Sequence, residues 1–100
     1  MKSIKDLINL KNHHVLITGG GGKIALAIAE AFAEMNANIL LMDVNNNSLI
    51  NAKNIIMGKY DIQCDILVID LEKLDDQRDE IIDKLRQYNS LDVLINCAAL

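Results

Sequence analysis

The run "ITGGGGKIA" at residues 17–25, answered by "LLMD" at 40–43, decides how this chain is read. Four consecutive glycines and a lysine end an apolar segment and open one with helical period. A glycine-rich turn between a strand and a helix leaves backbone N–H groups available to a phosphate, reinforced by the positive end of the helix dipole. The question is which phosphate.

A nucleoside triphosphate held with magnesium fits poorly. Gly22-Lys23 matches the end of G-x-x-x-x-G-K-[ST], but the residue five before Gly22 is Ile17, and Ile24 follows Lys23 where a metal-binding hydroxyl is required. A methyltransferase loop fits no better, because the glycines are entered through Thr18-Gly19 without an acidic residue. The pyrophosphate of a dinucleotide fits at several positions together. Gly20, Gly22 and Ala25 have the spacing G-x-G-x-x-[GA], in which the first glycine permits a tight turn and the second lets backbone approach the ligand. The third position needs only a small residue. Eighteen residues after Ala25 stands Asp43, placed at a strand end to accept hydrogen bonds from the adenosine ribose. The alternative, that the glycines merely turn the chain, needs only one or two of them, and each added glycine costs on the order of 0.5–1 kcal/mol in chain entropy.

Asp43 also bears on the choice of dinucleotide. A carboxylate repels a 2′-phosphate, and "VNNN" after it supplies no Arg or Lys, so NAD is favoured over NADP. Lys23 has two readings that stay open: an ammonium reaching a phosphate, or a solvated lysine of the first helical turn.

Outward from the loop, the chain alternates. "HVLIT" (14–18), "NILLMD" (38–43), "DILVID" (65–70) and "DVLIN" (92–96) are nearly continuous apolar runs, as parallel strands buried on both faces require. Between them, Ile24, Ile28, Ala31, Phe32 and Met35 predict one apolar helix stripe, with Glu30 and Glu34 outside it. Leu49, Ala52 and Ile56 predict a second helix, capped by Asn45 or Asn46 and closed near Gly58. Leu74, Ile81, Leu85 and Tyr88 predict a third, whose "DDQRDE" face is solvated. The order β-α-β-α-β-α-β predicts an α/β, doubly wound parallel sheet. With strand order 3-2-1-4 the glycines lie at the topological switch point, where open sheets bind ligands.

Composition narrows the function classes. One hundred residues, 51% apolar and 24% charged with no proline, make a single small domain over residues 1–100. A net charge of −4 without a basic cluster argues against a nucleic-acid partner. No apolar run reaches membrane-spanning length, and Lys2, Lys5 and Asp6 interrupt any secretory core, so no membrane association and a cytoplasmic location are expected. Cys64 and Cys97 lack metal or redox spacing and are expected as thiols; His13-His14 has no third ligand at a useful distance.

With these residues in hand, the chain resembles the short-chain dehydrogenase/reductase superfamily from its first strand to its last residue. "TGGGGKIA" resembles the family's T-G-x-x-G-x-x-[GA] loop at Thr18, Gly19, Gly22 and Ala25. "VIDLEK" carries the Asp70-Leu71 pair that lies beside adenine in the family, and "DVLINCAA" resembles the family's N-N-A-G segment through Asn96 and Ala98. The loop spacing is common among nucleotide-sugar epimerases and dehydratases, whereas "LINCAA" is closer to the alcohol/ketone oxidoreductases, the branch preferred here.

The resemblance implies a Rossmann-like domain that holds NAD through Gly19, Gly22 and Ile24 at the pyrophosphate, with Thr18 and Lys23 in the same binding loop, Asp43 at the ribose, and Asp70, Leu71, Asn96 and Ala98 on the adenosine side. It also implies a complete enzyme that moves a hydride between nicotinamide and a carbinol or ketone carbon, using a Tyr-x-x-x-Lys pair. Neither Tyr60, with Cys64 at +4, nor Tyr88, with Asp92 at +4, forms that pair. The chain therefore resembles the cofactor-binding half of such an enzyme. A small-molecule substrate is expected only if a catalytic half exists; a non-catalytic nucleotide- or partner-binding module is the competing reading. Ending just past the fourth strand predicts marginal stability, or self-association through an apolar sheet edge.

Overall fold

The computed structural model describes residues 8–97, with Leu71 and Leu74 described by backbone alone. The elements are β1 (His14–Thr18), α1 (Lys23–Glu34), β2 (Asn38–Asp43), α2 (Asn46–Lys59), β3 (Cys64–Val68), a 3-10 turn (Leu71–Lys73), α3 (Leu74–Leu85) and β4 (Val93–Asn96). All strand pairs are parallel, in the order β3-β2-β1-β4. The fold class expected from the alternating apolar runs is the one observed, with the strand order usual for such sheets. Two successive crossovers carry the chain from β1 to β3, and the third returns it past β1 to β4. The order in which strands are added therefore reverses at β1, between β2 on one side and β4 on the other, and right-handed crossovers divide the helices between the two faces.

On one face, Val15, Ile17, Ile39 and Leu41 pack under α1 and α2. On the other, Leu16, Leu40 and Met42 meet Ile81, Leu85 and Tyr88. Alternate residues of each strand thus serve opposite faces, which explains why the runs are apolar throughout.

The helix after the glycines departs from the expected stripe. Its buried residues are Ala25, Ala29 and Ala33, one every four positions, while Ile24 is 75% exposed and Ala31 lies on the surface. Alanine faces the sheet because it lets the helix backbone approach closely, and Ile28 and Phe32 then pack from the flanks. Glu30 is not left to solvent; its carboxylate meets Lys59 Nζ at 2.9 Å and ties α1 to α2. The helix closes on Asn36, whose φ of 72° is left-handed. Asn36 donates its N–H to Ala33 O and Ala37 to Phe32 O, the paired bonds of a Schellman stop.

Helix α2 begins as expected, Asn45 Oδ1 accepting the Ser48 N–H at 3.0 Å. It closes at Lys59, near Gly58 as expected, but Gly58 is not the stop: it lies inside the helix with open space around it, and Tyr60 in extended backbone ends it. Strand β3 stops at Val68, two residues short of expectation. Gln77 Oε1 accepts the Asp70 N–H and Asp70 Oδ1 accepts the Glu72 N–H, so these donors turn the chain instead of extending the ladder.

Candidate cofactor-binding site at the strand ends

Each glycine between β1 and α1 meets a different demand. Gly19 has φ of 69°, the left-handed region that L side chains avoid, and its carbonyl accepts the Gly22 N–H at 3.2 Å. The tight turn therefore belongs to Gly19, not to Gly20 as the spacing suggested. Gly20 donates to Met42 O at 2.8 Å, and a Cβ there would stand 2.7 Å from the Leu41 Cβ. Gly21 donates to Asp43 Oδ2 at 2.9 Å, and a Cβ there would meet the Ser48 Cβ at 2.6 Å. Gly20 and Gly21 thus answer to internal packing, and Gly19 to backbone conformation.

Gly22 is different. A Cβ on it would touch nothing closer than Gly19 O at 3.5 Å, an ordinary contact. It is also the N-cap of α1, with no side chain to cap the helix. The first N–H groups of a helix have no intrahelical acceptor, so at Gly22 the fold leaves both space and unsatisfied donors beside the positive helix end. Those are the properties an anionic group requires, and Lys23, exposed, adds its charge at the same place.

The acidic partner is held firmly. Asp43 Oδ2 accepts the Gly21 N–H; Oδ1 accepts Val44 N–H at 2.7 Å and Asn45 N–H at 3.3 Å. Its Oδ2 keeps a further lone pair for an outside hydroxyl. On the other side of the loop, Thr18 Oγ1 donates to Asn96 Oδ1 at 2.8 Å, and Cys97 N–H donates to Thr18 O.

The sheet thus brings Thr18, Gly19, Gly22, Lys23, Ile24, Asp43 and Asn96 together at the carboxyl ends of β1, β2 and β4. Asp70 follows β3 at the same edge, where the Ile69 N–H donates to Asp43 O, but its carboxylate caps the 3-10 turn. Leu71 opens that turn. Ala98 lies outside the described residues. Sequence reasoning missed Gly21 as a partner of Asp43, and Ser48 as the residue packed against Gly21. The only available signal was the length of the glycine run. It also missed Val44 and Val68, exposed by 62% and 40%, the first following Asp43 in the chain and the second paired with it across β2 and β3.

A depression of about 410 Å³, lined by Lys11, Asn12, Asn36, Asn38, Asp61 and Ile62, lies at the opposite, amino end of the strands. It has no glycine loop, and ligands of open α/β sheets bind at the carboxyl ends. Among the described residues, no cluster could hold a metal ion and no helix is long and apolar enough to cross a membrane. Both cysteines are free thiols.

A doubly wound sheet with a glycine turn at its switch point and an acid at the end of β2 defines a dinucleotide-binding class of fold. Residues 13–100 match the family model for short chain dehydrogenases, and this chain belongs to that family. It is 29% identical over 91 residues to the 3-oxoacyl-acyl-carrier-protein reductase of Chlamydia trachomatis, covering 91% of this chain and 37% of that protein. Among solved structures it resembles L-sorbose reductase from Gluconobacter frateurii complexed with NADPH and L-sorbose, with TM-score 0.82 and 26% identity over 93% of this chain and 35% of that one. It also resembles an NAD+-bound xylitol dehydrogenase, with TM-score 0.77 and 27% identity over 85% of this chain and 32% of that one. The chain spans 37% or less of the length of each of these three proteins.

Proposed function

We propose that this chain is the NAD-binding part of a short-chain oxidoreductase acting on a carbinol or ketone. The observation that carries the reading is Asp43, an acceptor-only carboxylate fixed by three backbone N–H groups beside the glycine turn. A ribose diol can donate to it; a 2′-phosphate would meet a like charge, and Val44-Asn45 offers no cation. Gly22 and the first N–H groups of α1 receive the pyrophosphate, with Gly19 setting the turn and Thr18 and Asn96 bracing it. Val44 and Val68 offer apolar surface for adenine, and Asp70 and Leu71 border it. When bound, the dinucleotide supplies hydride chemistry at its nicotinamide; the residues of this chain bind and orient it.

Relatives named for a 3-oxoacyl-acyl-carrier-protein, L-sorbose and xylitol resemble this portion, which supports a role for its residues in holding a dinucleotide and not one substrate. Titration calorimetry with NAD+ tests the reading. Asp43→Ala should weaken binding at least about tenfold, the loss of a charge-assisted hydrogen bond. Unchanged affinity would remove Asp43 from the site.

A second reading, a nucleotide-holding module without dehydrogenase chemistry of its own, rests on the tyrosines. Tyr88 donates to Asp65 Oδ2 at 2.6 Å and stacks near His14, at the amino end of the sheet. Tyr60 ends α2. Neither is a general acid for this site. The intact mass of the protein from its own cells separates the two readings: a mass near 11.1 kDa favours the module, a much larger one the enzyme.

A further inference from the structure

We propose that Asp43 anchors the glycine turn as well as selecting the cofactor, which makes Gly21 a specificity-determining position although it presents no side chain to a ligand. The inference rests on the dinucleotide reading above and deepens it.

The geometry has three parts. Asp43 Oδ2 and the Gly21 N–H meet at 2.9 Å across 22 residues of sequence, in a half-buried setting. The same carboxylate is held from its other oxygen by Val44 and Asn45 N–H groups, so it cannot swing aside without giving up bonds on both oxygens. Finally, a Cβ at Gly21 would stand 2.9 Å from Asp43 Oδ2, in the space the carboxylate needs to reach the loop. Gly21 is not in the left-handed region, so alanine there is opposed by space and not by backbone conformation.

Two consequences follow. An alanine at Gly21 displaces the acid that repels a 2′-phosphate, and so narrows discrimination between the two dinucleotides without altering any charge. Asparagine at Asp43 is not conservative: its amide has one acceptor oxygen, and turning that oxygen to Val44 and Asn45 sets an NH2 group against the Gly21 N–H. In the opposite orientation the bonds to Val44 and Asn45 are lost instead, so either way one side of the anchor goes although the side-chain shape is kept.

The test compares NAD+ and NADP+ affinities of the full chain and its variants by calorimetry. Because alanine at Gly21 also meets the Ser48 Cβ at 2.6 Å, Gly21→Ala/Ser48→Gly relieves that second clash and leaves the one with Asp43. The Ser48 N–H that caps α2 is backbone and survives the change. Gly58→Ala, with nothing within 4 Å of its Cβ, is the glycine control. The double variant should bring the NADP+/NAD+ dissociation-constant ratio about tenfold closer to one, with Gly58→Ala unchanged. A folded double variant that keeps the wild-type ratio overturns the proposal and leaves the NAD assignment standing.

A second measurement does not depend on that variant folding. Asp43→Ala, which leaves no acceptor, should accelerate hydrogen exchange of the Gly21 amide, and exchange as slow as in the wild type overturns the anchor. If the wild-type chain binds neither dinucleotide, the proposed function fails, and the specificity role of Gly21 with it. Gly21 exchange then still decides whether Asp43 anchors the turn.

Discussion

Thr18 and Asn96, 78 residues apart, share a hydrogen bond of 2.8 Å across the two strands that flank the switch point. The bond joins the end of β1, where the glycine turn departs, to the end of β4, whose register pairs Thr18 with Asn96. Both side chains are exposed enough for water to compete, so the net contribution is modest. A double-mutant cycle with Thr18→Val and Asn96→Ala, read by urea unfolding, should give a coupling of about 0.5–1.5 kcal/mol. A cycle is needed because Asn96 has a further interaction, so a single change does not isolate its bond to Thr18. Zero coupling would mean that the two residues are neighbours and not partners.

Cofactor preference is the second prediction. Asp43→Ser with Val44→Arg exchanges a repelling carboxylate for a guanidinium that can pair a 2′-phosphate. Affinity for NADP+ relative to NAD+ should rise at least about tenfold. The absolute affinity for both should fall, because the loss of Asp43 also releases the Gly21 N–H. A variant that gains relative NADP+ affinity with no loss toward NAD+ would speak against the anchoring role.

How far the sequence carries is clearest in α1. The strands were legible because residues buried on both faces must be apolar throughout, as in "ILLM" at 39–42. The helix stripe was not legible. Apolar residues lie on most of the α1 surface, so periodicity alone could not choose between the alanine face and the Ile24 face. What chose was distance: only a small-residue face lets the helix settle onto Val15 and Ile17. The loop shows the same limit. Thr18, the glycines and Asp43 were recognisable as a set, but which glycine serves which contact depends on Leu41 and Ser48, whose approach is a tertiary fact.

That account has its own test. Ala29→Leu inserts three carbons where the side chain is fully buried, and should destabilise the chain by about 1–3 kcal/mol through overpacking. Ile24→Ser, at a position 75% exposed, should stay within about 0.5 kcal/mol. Urea midpoints decide it; the reverse ranking would restore the stripe that includes Ile24.

Gly20→Ala should be costly for a reason separate from any ligand. Its Cβ would stand 2.7 Å from the Leu41 Cβ and 3.1 Å from the Leu41 Cα, and backbone cannot give way as a side-chain tip can. Loss of about 1–3 kcal/mol is expected, with the bond to Met42 O strained as the loop lifts. A variant as stable as the wild type would show that the loop relaxes freely.

The last prediction concerns alkaline pH. Burial pushes the Cys64 thiol up from 9.0 to about 11, with Lys53 opposing and Asp65 adding to the shift. Tyr88 is also raised from 10.0, first by burial and then by donating its hydrogen bond to Asp65. Both groups keep their proton in the folded chain at a pH where the unfolded chain has released it. Unfolding then releases protons, so stability is undiminished below 9.0 and falls as pH rises toward 11. Urea midpoints should decline across that window, and Cys64→Ala should flatten the decline until Tyr88 begins to contribute above 10.0. Thiol labelling gives an independent reading of the same burial. Cys97, half-exposed, should react with a disulfide reagent in the folded chain, and Cys64 only when urea opens the core. Equal labelling of both thiols without denaturant would mean that β3 is not sealed under α2, and the alkaline window would disappear with it.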